Sequence, residues 1–105
     1  MDIQLKRGLL DLCVLSAIQD KDSYGYQIIK DIKPYVAISE STLYPILRRL
    51  EDGEYLTVRR EEHNGIIRKY YAITPAGRGK LAAFSEEWKE LESIHRFIVR
   101  EGTDT

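Results

Sequence analysis

Along residues 4–20 the apolar side chains fall into two helical stripes. Leu10, Val14, Ala17 and Ile18 follow i, i+4, i+7, i+8, and Leu5, Leu9, Leu12 and Cys13 repeat that spacing roughly 140° away. A small domain buries one such stripe. The second requires either central burial of the helix or another chain. Asp22-Ser23 reads as a helix cap, and a short helix over 24–33 places Gly25, Ile28, Ile29 and Ile32 on one face before Pro34 stops it. Ser39 or Ser41 opens a third helix. Its inward face is Leu43, Ile46, Leu47 and Leu50, and Gly53 supplies its stop. The outward face carries Ser41, Tyr44, Pro45, Arg48 and Asp52, with Thr42 and Arg49 on the flank. Two short amphipathic helices joined by about five residues form a helix-turn-helix-like unit.

The period then changes to two. Tyr55–Glu61 and Arg68–Thr74 are rich in strand formers and flank Asn64-Gly65, a turn pair suited to positive φ at both positions. A two-residue turn there opposes Val58 to Tyr71 and Leu56 to Ile73 on one face. Arg59 then faces Tyr70, and Arg60 faces Lys69. Thr74-Pro75 caps a last helix running to about residue 99. Leu81, Phe84, Trp88, Leu91, His95 and Ile98 recur at 3,4 spacing, a coiled-coil seam that predicts a homodimer.

The fold expected is mainly α with a β-hairpin: a winged helix-turn-helix over residues 1–74, then a long C-terminal dimerisation helix with a short tail over 75–105. With 105 residues, one cysteine, near-neutral charge and no long apolar run, the chain reads as cytoplasmic, reduced and free of metal or other cofactors, and as no membrane protein. The N-terminus lacks the pattern of a signal peptide. A net charge of −1 excludes an indiscriminate polybasic binder, so any nucleic-acid site must be focused by the fold.

The third helix supplies such a focus. Arg48 suits bidentate contact with guanine, and Ser41, Thr42 and Tyr44 near the helix start suit phosphate or base edges. Taken alone, Arg48 and Arg49 read more often as solvated surface charges. On this helix they read as DNA contacts. Arg60 opposite Lys69, with Arg68 beside them, is unfavourable across a strand pair unless an anion lies between, which points to phosphate. Long side chains splayed into water are the alternative. His63 and His95 have no nucleophile nearby, and no phosphate-cradling glycine loop exists, so enzymatic activity is not expected. A winged helix serving only as a protein-interaction module remains the alternative to DNA binding, although its third helix would show apolar residues outward.

The chain resembles the PadR family of bacterial transcriptional regulators, in its short subgroup with one C-terminal helix. The resemblance rests on Asp22-Ser23-Tyr24-Gly25-Tyr26, Ser41-Thr42-Leu43-Tyr44-Pro45, Arg48-Arg49-Leu50-Glu51, Arg68-Lys69-Tyr70-Tyr71 and Thr74-Pro75-Ala76-Gly77, and covers roughly residues 5–98. It implies a homodimeric repressor that binds a pseudo-palindromic double-stranded operator, associates with the nucleoid when bound, and is released by a small molecule or cell signal. Family DNA contacts map onto Tyr24, Ser41, Thr42, Tyr44, Arg48, Arg68 and Lys69. Some small relatives hold flat aromatic molecules between two tryptophans at the dimer interface. Trp88 occupies that place, with Leu5, Gly8, Leu12 and Glu92 as the expected lining and Asp11 and Glu92 as partners for a cationic ligand. Trp88 as a plain interface aromatic is the alternative. Where the family wing commonly carries Gly-Arg, this chain has Gly65-Ile66-Ile67. Packing of both isoleucines back on the body is expected, with wedging against the sugar edges as the alternative.

Overall fold

The computed structural model describes residues 1–100, so positions 101–105 of the expected tail lie outside the described residues. The element order is α1 (Ile3–Ala17), α2 (Gly25–Ile32), α3 (Glu40–Asp52), β1 (Leu56–His63), β2 (Ile66–Ile73) and α4 (Pro75–Val99). The expected fold class is present.

α1 starts where Asp2 accepts a hydrogen bond from the Leu5 amide at 2.9 Å. It ends three residues earlier than its pattern predicts. Ile18 leaves helical geometry yet stays buried, because the chain turns there with its side chain still in the core. Leu10, Val14 and Ile18 join Ile28, Ile32, Leu43, Ile46, Leu47, Leu50, Leu56 and Tyr71 in one core. The second stripe has a mixed fate. Leu9, Leu12 and Cys13 are half-buried, whereas Leu5 is exposed. Its Cys13 end packs against the core, where Leu81 of α4 also docks. Burial pushes the Cys13 thiol pKa up, as an apolar site disfavours the thiolate.

Asp22-Ser23 does not cap α2. Tyr24 holds the N-cap position without a side-chain bond. Ser23 instead exchanges two backbone hydrogen bonds with Tyr71, adding a single bridge to the outer edge of β2. Asp22 pairs with Arg59. A strand edge offers two backbone bonds at once, which outweighs one side-chain cap. The connector spans residues 33–39, longer than expected, and is anchored by buried Ile38 and half-buried Val36. Gly53 is the C-cap of α3, but Glu54 takes the left-handed conformation with φ 64°. What Gly53 provides is room, since a Cβ there would meet the Tyr55 ring at 2.7 Å.

The hairpin has the register read from the turn, from Leu56↔Ile73 to His63↔Ile66, with Arg60 opposite Lys69. Asn64 (φ 53°) and Gly65 (φ 80°) form the tip. Pairing extends further toward the tip than the strand formers indicated. Thr74 then ties three elements together. Its hydroxyl accepts from the Gly77 amide at 3.1 Å and donates to the Glu54 carbonyl at 2.7 Å. From Pro75, α4 runs 25 residues and leaves the body beyond Phe84, giving extents of 68 × 26 × 22 Å.

Candidate nucleic-acid interface

α3 lies across the core with Leu43, Ile46, Leu47 and Leu50 down, so Ser41, Tyr44, Pro45 and Arg48 face outward. Pro45 has no amide hydrogen, which leaves the Ser41 carbonyl without its helical donor. At the helix start, the Ser39 hydroxyl lies 3.0 Å from that of Ser41 and 3.2 Å from that of Thr42, a cluster of donors beside free helix amides. Gly25 sits beneath Tyr44. A Cβ at residue 25 would fall 2.5 Å from the Tyr44 hydroxyl oxygen. The Gly25-to-Tyr44 fit therefore sets where that hydroxyl is presented.

The wing stands beside this helix. Tyr44, Arg48 and Lys69 border one cleft between α3 and the ladder. Tyr24, Tyr44, Ile67, Arg68 and Lys69 border a second cleft around the same corner. Arg68 is held over the Tyr24 ring at 4.1 Å, and its guanidinium approaches the Tyr70 hydroxyl at 3.4 Å. That hydrogen bond holds the Arg68 pKa above its ordinary value. Tyr24 in turn meets Tyr70 edge-on at 5.6 Å. Tyr24 thus positions Arg68 as much as it presents itself.

The other three wing cations differ. Arg60 and Lys69 oppose each other and, among the described residues, have no anionic partner. Arg59 is fully engaged by Asp22 and Glu61, and it draws the Glu61 carboxyl below the usual range. The two α3 arginines also part company. Arg48 is exposed and unpaired among the described residues. Arg49 donates to Asp11 of α1 at 2.6 Å. That pair commits Asp11, which was expected to be available to a cationic ligand.

Lys6 and Arg7 escaped the sequence reading. They border a groove with Ser41, Thr42 and Arg49, on the side of α3 away from the wing. Their adjacency in sequence was a visible signal, but only the fold shows that α1 delivers them to the start of α3. The wing tip departs from expectation too. Ile66 is 68% exposed and Ile67 65% exposed, so neither packs on the body. Ile67 borders the cleft it shares with Tyr24 and Tyr44 without being covered by it, and Ile66 lies one residue nearer the turn.

An open cleft of ≈ 700 Å³ lies between α1 and α4. It brings together Leu5, Gly8 and Leu12 with Phe84, Glu87 and Leu91. Trp88 and Glu92 are not in its lining. Trp88 lies tilted against Phe84 at 6.3 Å and is half exposed. Of the expected seam, Leu81 and Phe84 are half-buried against the chain's own body, whereas Trp88, Leu91, His95 and Ile98 face outward. Ile94 and Phe97, absent from the expected seam, widen this apolar ridge.

Three helices, a hairpin beside the third and a long terminal helix define a winged helix-turn-helix. The family model of the "Transcriptional regulator PadR-like family" matches residues 14–83, and the chain belongs to that family. It is a family of transcriptional regulators, not of enzymes. Transcriptional regulator Rv3488 of Mycobacterium tuberculosis is 30% identical over 97 residues, covering 91% of this chain and 88% of its own length. A transcriptional regulator from Clostridium thermocellum superposes with a TM-score of 0.82 at 33% identity, covering 94% of this chain and 98% of its own. A PadR-like transcription factor from Bacteroides fragilis also gives 0.82 at 32% identity, covering 90% and 94%. As fold alone, the likeness extends to Bacillus subtilis PadR solved with operator DNA, with a TM-score of 0.67 at 23% identity, covering 72% of this chain and 46% of that one. No described helix is long and apolar enough to cross a membrane.

Proposed function

We propose that this regulator is a cytoplasmic homodimeric repressor that binds a pseudo-palindromic operator on the nucleoid, through residues 1–74, and dimerises through 75–105. The observation that carries the reading is the single surface formed by Tyr44 and Arg48 of α3 with Lys69 of the wing, bordered by cations without anionic partners among the described residues. A helix fits the major groove, and a helix-turn-helix dimer sets two such helices one turn of DNA apart. Arg48 reads a base edge. Ser41, Thr42, Tyr24, Tyr44 and Arg49 hold the flanking backbone, and Arg60, Arg68 and Lys69 hold phosphate under the wing. Lys6 and Arg7 add phosphate contacts on the opposite side of α3. The solved complex of Bacillus subtilis PadR with operator DNA supports this use of the shared fold.

The apolar ridge of α4, from Trp88 through Leu91, His95 and Ile98, meets its copy in the dimer. Lone chains rarely expose such a surface. A planar aromatic effector enters beside Trp88 of both subunits and reaches the cleft lined by Leu5, Gly8 and Leu12, with Glu92 one turn beyond Trp88. It releases DNA only if it favours a dimer with different spacing of the two α3 helices. Selection from random duplexes tests the core of the proposal. Enrichment of a two-fold site with half-sites about 10 base pairs apart is expected. Failure to enrich any site overturns it.

A further inference from the structure

We propose that Arg59 and Tyr70 are positioning residues: together they keep the Arg68 guanidinium from pairing with the carboxylate across the ladder, so that its charge stays available to phosphate. This rests on the DNA-binding reading, with Arg68 as one of its phosphate contacts, and says how that contact is kept usable. The register opposes Glu61 to Arg68 and Arg59 to Tyr70. Alternation puts these four, with His63, on one face of the ribbon, opposite to the face of Val58 and buried Tyr71. A carboxylate directly across from a guanidinium is within reach, and opposite charges so placed attract. Glu61 is therefore the natural partner of Arg68. An arginine already neutralised by it would have little to offer a phosphate, because the electrostatic gain comes from new charge neutralisation.

In the fold the two do not pair. Arg59 Nε donates to one Glu61 oxygen at 2.6 Å, and His63 Nε2 lies 3.4 Å from the other. Arg59 is anchored in that position by its second partner, Asp22. Arg68 takes aromatic partners instead. It lies over the Tyr24 ring at 4.1 Å and donates to the Tyr70 hydroxyl at 3.4 Å. Tyr70 is half-buried, edge-on to Tyr24 at 5.6 Å, with the Arg59 guanidinium 5.0 Å from its ring centre. A phenol orients a cation without cancelling its charge, which a carboxylate cannot do. Arg59 thus occupies the competing carboxylate and braces the neutral partner. A phenylalanine at 70 would keep both ring contacts, so the hydroxyl is what Arg68 requires of this position.

The experiment measures affinity and its salt dependence on the selected operator for Arg59→Gln, Arg68→Ala, the two combined, Arg59→Gln/Glu61→Gln and Tyr70→Phe. Arg68→Ala is expected to weaken binding on the order of tenfold and to lower the log–log slope by roughly 2 in a dimer. Arg59→Gln frees Glu61 to take Arg68, and is expected to approach the same loss and the same slope although Arg59 itself is no DNA contact. Adding Glu61→Gln is expected to restore both. Restored net charge alone would do that too, so the Arg59→Gln/Arg68→Ala chain decides. It is expected to bind no more weakly than Arg68→Ala, and a further loss as large as that of Arg59→Gln by itself overturns the proposal. Tyr70→Phe is expected to cost roughly threefold through a less ordered Arg68, with the slope kept. Wild-type affinity in both Arg59→Gln and Tyr70→Phe also overturns the proposal while leaving DNA binding intact. Melting curves close to wild type, expected because these ion pairs are largely exposed, exclude misfolding. An Arg68→Ala chain that binds like wild type removes Arg68 from the contacts, and this proposal with it. A wild-type chain that selects no duplex overturns the DNA-binding reading itself.

Discussion

Two glycines with no useful φ of their own carry much of the chain's precision. Gly77 is buried where α4 starts, and a Cβ there would strike the Tyr55 carbonyl and meet Ile73 at 2.7 Å. Backbone gives way less easily than a side chain, so Gly77→Ala should cost about 1–3 kcal/mol in denaturant unfolding. Gly25→Ala meets only the end of the Tyr44 ring, which can swing outward. It should leave stability nearly unchanged and weaken operator binding, because the Tyr44 hydroxyl moves. Equal losses of stability in the two variants would refute this contrast. Glu61 supplies a pH dependence. The hydrogen bond from Arg59 is the largest cause of its lowered pKa. A depressed carboxyl stabilises above its unfolded pKa, and that contribution fades as pH falls through the folded value. The clasp of Asp22, Arg59 and Glu61 at the wing base should therefore loosen in acid. Protection of the β1 amides, expressed relative to intrinsic exchange at each pH, should fall below the ordinary glutamate range, and Glu61→Gln should remove that acid dependence.

At the scale of elements, α3 is tethered on one side only. Arg49 is pinned to α1 through Asp11, whereas Arg48 is unpaired among the described residues. Arg48→Ala should cost about 1–3 kcal/mol of binding and relax preference at one base pair per half-site. Arg49→Ala should weaken binding less and uniformly across sequences. Asp11→Asn, which breaks a partly exposed pair, should change stability by no more than about 1 kcal/mol. Affinity profiling over single-base operator variants separates the two arginines. In the proposed complex the wing acts through charge at its middle. Replacing Lys69 by Ala in a dimer removes two phosphate contacts, and the salt slope should fall by roughly 2. An unchanged slope would place that strand off the backbone.

The whole molecule is a small body with a rod. α4 docks through Gly77, Leu81 and Phe84, and its second half carries Trp88, Leu91, Ile94, Phe97 and Ile98 into the open. Ile94→Glu should separate the subunits, because it sets two like charges in an apolar seam, without disturbing the core of either. Sedimentation should report a monomer with unchanged helical content, and affinity for the two-fold site should collapse with the dimer. A dimer that survives this change would move the interface elsewhere.

Most of this architecture was legible in the amino-acid order, because its determinants are local. The i, i+3, i+4 spacing of Leu43, Ile46, Leu47 and Leu50 fixes which face of α3 is hidden, and thereby which face shows Tyr44 and Arg48. Asn64-Gly65 accepts positive φ at both positions, and that turn sets every pair from Leu56↔Ile73 to His63↔Ile66. Thr74-Pro75 starts α4 by its own cap. What the order of residues left open depends on contacts between distant segments. Asp22-Ser23 looked like a cap until the edge of β2 offered Ser23 two backbone bonds. Arg48 and Arg49 are neighbours of one chemistry, and only the approach of Asp11, 38 residues away, distinguishes them. Lys6 and Arg7 come to border the groove with Ser41, Thr42 and Arg49 because α1 crosses beside the start of α3. Ile66 and Ile67 stay about two-thirds exposed because the cleft that Ile67 borders does not close over the hairpin tip. Periodicity and turn chemistry choose the elements, since they act over a few residues. Which charges remain unpaired, and which apolar groups remain uncovered, is decided only when the elements meet.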